Sequence, residues 1–77
     1  MDKVLKTYRF EYLTLNPFHK SKFIIVKSHT LFRALKTLNP NILDDIVVAY
    51  SDYKLIPCQY LEKTIDRVIL WHEKNPQ

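Results

Sequence analysis

The chain is expected to form an α+β domain: a small, mostly antiparallel sheet of three or four strands with two helices packed on one face, in the order ββαβ(β)α. Three observations carry this expectation. Residues Thr7 to Leu13 alternate between aromatic and polar side chains, the period of a half-buried strand. Leu31, Ala34, Leu35 and Leu38 recur at i, i+3, i+4 and i+7, one stripe of a helix. The apolar run Ile46 to Tyr50 then lies between that helix and a second helical stripe. Such an order suits an antiparallel sheet with its helices gathered on one side.

In the first strand Tyr8, Phe10 and Tyr12 share one side, and Thr7, Arg9 and Glu11 the other. Asn16-Pro17 breaks the run, and a loop with Phe18, His19, Lys20 and Ser21 leads to Phe23–Val26, a β-branched stretch expected to pair with the first strand as a hairpin. Ser28 or Thr30 is placed to cap a helix over residues 30 to 39, which Asn39-Pro40 ends. Ile46 to Tyr50 reads as a central strand, Ser51-Asp52-Tyr53-Lys54 as a turn and Leu55-Ile56 as a short fourth strand. Pro57 suits the start of the last helix, 58 to 74, whose apolar stripe is Cys58, Leu61, Ile65, Val68, Ile69 and His72. The expected core is Phe10, Tyr12, Phe23, Ile25, Leu31, Ala34, Leu35, Leu38, Val47, Ala49, Leu61, Ile65, Val68 and Ile69.

With 77 residues the chain reads as one compact domain, 1–77, large enough for one modest core and too small for a second. Its most selective feature is the absence of glycine. A Walker A loop, a dinucleotide fingerprint, an EF-hand, a GXXG clamp and the glycine-containing RNA recognition motif signature all fall away together. Turns must then use Asn16, Asn39, Asn41, Asp44, Asp52 and the prolines. A single cysteine, Cys58, allows no internal disulfide and no paired zinc ligands, which points to a reducing, cytoplasmic setting. No apolar run approaches the ~20 residues that span a bilayer, and no apolar segment follows the charged residues Met1 to Lys6, so neither membrane insertion nor secretion is expected.

Chemistry is sparse. Cys58 has His19, His29 and His72 as available bases, but a helical separation of 14 residues at ~1.5 Å each sets His72 about 20 Å away. A lone cysteine on an apolar stripe is expected to pack as a small hydrophobe. There is no HExxH, the histidines lack ligand spacing, and Asp44-Asp45 reads as a solvated turn. No enzyme activity, metal or cofactor is therefore expected.

Charge is more telling. Residues 1 to 43 hold eight Lys or Arg against two acids, whereas residues 44 to 77 hold four against six. No acid lies between Tyr12 and Leu43, a stretch containing Lys20, Lys22, Lys27, Arg33 and Lys36 beside His19 and His29. Those five cations are candidates for binding nucleic acid or an acidic partner. Lysines also guard sheet edges, and nine lysines against three arginines weaken the case for base-specific recognition. Tyr8, Phe10 and Tyr12 resemble a stacking platform but fit the underside of a core better. On the last helix Leu70 falls opposite the apolar stripe and Trp71 at its edge, near Tyr60 and Arg67; these four are the candidate anchors for a partner or a second copy. Tyr50 and Tyr53 extend that patch if the sheet end lies beside the helix.

In scale and element order, though in no motif, the chain resembles the compact inhibitors encoded by phages and mobile elements, such as anti-CRISPR and other host-takeover proteins. The absence of a catalytic constellation in so small a chain leads to the same expectation: a non-enzymatic protein that binds and inhibits or regulates a larger protein or ribonucleoprotein assembly through surface charge and exposed aromatics. The alternative is a nucleic-acid-binding module using the basic hairpin and first helix.

Overall fold

The computed structural model describes residues 4–14 and 20–76, with residue 20 described by its backbone alone. The elements are β1 (Lys6–Thr14), β2 (Lys20–Ser28), α1 (Leu31–Lys36), a 3-10 helix (Pro40–Asp45), β3 (Ile46–Ser51), β4 (Lys54–Leu55) and α2 (Cys58–Lys74). The strands form one antiparallel sheet in the order β2-β1-β3-β4. The α+β architecture is as expected, with the fourth strand present. Asn16-Pro17, Phe18 and His19 lie outside the described residues.

Tyr8 and Phe10 are buried on the helix-covered face of β1, their rings stacked with centroids 6.2 Å apart. They belong to one apolar cluster with Leu31, Ala34 and Leu35 of α1 and Leu61, Ile65 and Val68 of α2. The aromatic stripe of β1 is thus core. Cross-strand partners share a face, and the register sets Tyr8 against Val26 and Phe10 against Ile24. Ile24 and Val26 therefore pack on the core, while Phe23 and Ile25, each 56% exposed, lie on the other face beside Glu11 and Arg9.

This corrects the expected burial of Phe23 and Ile25. In a continuous apolar run either parity can face inward, and the choice is made by pairing with β1. Val47 is also exposed: Glu11 pairs with Val48 but Tyr12 with Ile46, so a bulge leaves Val47 without a partner and turns Ile46 into the core. Tyr12 and Ile69 pack against the core only in part.

α1 is shorter than the expected span, and Asn39-Pro40 begins a new element instead of a loop. The Asn39 side chain accepts from the N–H of Asn41 at 2.9 Å, and Pro40 supplies a fixed φ at the start of the 3-10 helix. That helix inserts Leu43, which is buried. In α2 the stripe is Leu61, Thr64, Ile65 and Val68. Thr64 is tolerated there because its hydroxyl donates to the carbonyl of Tyr60 at 2.8 Å. Cys58, in the first turn, is exposed and does not pack as expected.

β3 and β4 join through Asp52 and Tyr53, with φ of 47° and 70°. Two residues at positive φ are the requirement of a type I′ hairpin, met here without glycine. Asp52 ties the turn to β1: its N–H donates to the Thr7 carbonyl at 2.9 Å, and its carboxylate accepts from the Thr7 N–H at 2.8 Å. No helix among the described residues is long and apolar enough to cross a membrane.

Candidate functional site

α1 and α2 each carry an aromatic residue and a cation one helical turn apart, Phe32 with Lys36 and Arg67 with Trp71. Leu35 of α1 and Val68 of α2 are buried in the same core cluster. The cations then cross over. The Lys36 ammonium stands 4.2 Å from the Trp71 ring and 5.5 Å from Phe32, and the Arg67 guanidinium lies 5.2 Å from the Phe32 ring. All three distances fall within the range of attraction to an aromatic face.

Phe32, Arg67, Leu70, Trp71 and Lys74 line a groove beside this cluster. Leu70 is 53% exposed. Among the described residues the ion pair is Arg9 with Glu11, at 3.6 Å, and Lys36 and Arg67 have no carboxylate within ion-pair distance. The groove thus combines an exposed aliphatic side chain, two aromatic rings and cations without a close carboxylate among the described residues. Such a surface can bury an apolar side chain of a partner and hold an acidic one next to it.

Of the anchors expected from sequence, Arg67, Leu70 and Trp71 meet here and Tyr60 does not. Tyr60 lines a separate groove with Lys6, His29, Leu55 and Pro57, about three turns toward the start of α2. Lys36, one of the five candidate anion-binding cations, stands over the Trp71 ring. Lys22 and Lys27 fall on opposite faces of β2, since an odd number of positions separates them in a strand whose side chains alternate. The side chain of Lys20 is outside the described residues. Phe32 was missed, since only the packing of α2 against α1 brings the Arg67 guanidinium over its ring.

A second exposed surface is the helix-free face of the sheet. Its central row is Ile25, Arg9, Tyr50 and Leu55 across the four strands. The Arg9 guanidinium lies 4.4 Å over the Phe23 ring, and Thr7, Arg9, Ile25, Tyr50 and Tyr53 line a cleft of about 370 Å³. Tyr50 and Tyr53 therefore belong to this face and not to the Trp71 groove.

Cys58 is exposed, and its thiol donates to the Glu62 carboxylate at 3.5 Å. That hydrogen bond, the negative charge of Glu62 and slight desolvation raise the thiol above its ordinary pKa. The shift opposes thiolate formation, the reverse of what activates a nucleophile. Among the described residues no three His, Cys, Asp or Glu side chains gather to hold a metal ion.

No family model, curated protein or solved structure matches the chain.

Proposed function

We propose that this protein is a non-enzymatic interaction domain that docks on, and regulates, a larger macromolecular partner through the α1–α2 flank. The observation that carries this reading is the crossed pair of cations and aromatics, Lys36 over Trp71 and Arg67 over Phe32, beside the exposed Leu70. Trp and Arg are the residue types that most often dominate binding energy, and here they are grouped with Lys36, and neither cation has a carboxylate of the described residues within ion-pair distance. The partner surface that fits is acidic with an apolar knob. An inhibitor of a protein or ribonucleoprotein assembly has this form, and the compact size agrees with it.

The test is capture from host lysate, with and without nuclease, using the wild type, Trp71→Ala and Lys36→Glu side by side. A stoichiometric protein captured by the wild type and lost from both variants is the expected result. Loss of an anchor of this kind costs about 2 kcal/mol or more, roughly thirtyfold in affinity. Capture of nucleic acid alone, abolished by nuclease or by raised salt, would move the function to the basic residues Lys22, Lys27 and Arg33.

A further inference from the structure

The sheet ends on one side with β4, two residues long, and on the other with β2, nine residues long. The hydrogen-bond pattern shows which backbone groups of β2 are uncommitted. Thr7 uses both its N–H and its C=O on Asp52, on the side of β3 and β4. On the same side of the sheet the Ala49 carbonyl accepts from the N–H of Ile56 at 2.9 Å. Successive residues of an antiparallel strand direct these groups alternately to either side. Tyr8 and Phe10 therefore bond toward β2, to their partners Val26 and Ile24. The N–H and C=O groups of Phe23, Ile25 and Lys27 are left aimed at the open edge.

The side chains at this edge define what fits it. Phe23 and Ile25 are more than half exposed on the helix-free face, and β2 contains three lysines and no acid. Lys22 and Lys27 are exposed and have no carboxylate within ion-pair distance among the described residues. We propose that the free edge of β2 docks an extended acidic segment of a partner protein as a fifth strand of the sheet. The added backbone would bond to Phe23, Ile25 and Lys27, alternate apolar side chains would cover Phe23 and Ile25, and the intervening carboxylates, on the other face, would meet Lys22. A second copy of β2 is the poorer occupant, because it would bring Lys22 and Lys27 of both chains to one seam with no acid in β2 to offset them. This surface uses none of the residues of the α1–α2 flank, so it stands or falls separately from the function proposed above.

The probe is an eight-residue synthetic peptide of alternating Glu and Val, titrated into the full chain and followed by amide chemical shifts and hydrogen exchange. Shifts centred on Phe23, Ile25 and Lys27, with exchange at these amides slowed about tenfold at saturation, are expected. The same peptide with Lys in place of Glu should bind at least about tenfold more weakly. Ile25→Pro removes an outward N–H while leaving the ladder to β1 intact, a change that edge strands tolerate, and should weaken the Glu peptide about tenfold. Lys22→Glu, which alters no backbone group, should also weaken it and decides the matter if Ile25→Pro does not fold. Shifts confined to other elements, equal binding of the Lys peptide, or wild-type affinity in Lys22→Glu would each overturn the proposal. So would a dimer at sedimentation equilibrium whose β2 edge amides are protected without peptide.

Discussion

Tyr53 shows how much a single backbone angle can demand. At φ of 70° a side chain with a Cβ crowds its own carbonyl, which costs about 1 kcal/mol or more relative to glycine's freedom. The turn persists because Asp52 is bound to Thr7 through both backbone and carboxylate. The Tyr53 ring gains nothing from burial, being 96% exposed. Tyr53→Gly is therefore expected to be more stable than Tyr53→Ala by about 1 kcal/mol, read as the shift in urea midpoint at constant slope. Cys58 makes the opposite point, that a conspicuous residue can be chemically quiet. With its pKa raised by the hydrogen bond to Glu62 and that carboxylate's charge, less of the thiol is ionised at any pH below the shifted value. Alkylation by iodoacetamide at pH 8 should be slower than for an unperturbed thiol, and Glu62→Gln, which removes the negative charge, should accelerate it.

At the scale of elements, the short helix α1 depends on its ends. It has six residues, too few to persist by propensity alone, and Thr30 supplies the cap by accepting from the N–H of Arg33 at 3.1 Å. Thr30→Ala should cost about 1 kcal/mol of stability, whereas Thr30→Ser should cost little, as thermal or urea unfolding will show. Arg67 and Trp71 were legible as neighbours because helical spacing places residues i and i+4 on one flank, whereas Phe32, at the same spacing from Lys36, was not singled out. Their exchange of partners across the two helices was not visible, since it depends on which turns face each other. The same limit applies to β2. A run of four consecutive apolar residues marks a strand but leaves its parity open, and pairing of Phe10 with Ile24 resolved it.

Across the whole molecule, one core holds the sheet to both helices and leaves the opposite sheet face uncovered. Phe10 is fully buried, with the cluster closing around it, while Phe23 is more than half exposed under the Arg9 guanidinium. Phe10→Ala should cost about 3–5 kcal/mol and endanger folding at ordinary temperature, since domains of this size have little stability in reserve. Phe23→Ala should cost about 1 kcal/mol or less, because it forfeits only a surface cation–π contact and partial burial. Comparing the two by chemical denaturation checks the assignment of faces directly.

Local pattern was enough to establish the order of strands and α-helices, the strand parity of β1 and the span of α2, because each is written in the spacing of neighbouring residues; it narrowed the cap of α1 to Ser28 or Thr30, and the structure selects Thr30. It also isolated Arg67, Leu70 and Trp71, whose angular positions on one helix set them off the buried stripe. The insertion of Leu43 through a 3-10 helix, the bulge at Val47, the exposure of Phe23 and Ile25, and the meeting of Lys36 with Trp71 arose only when elements distant in the chain were packed. Each of these depends on register or on the facing of two surfaces, and a one-dimensional period contains neither.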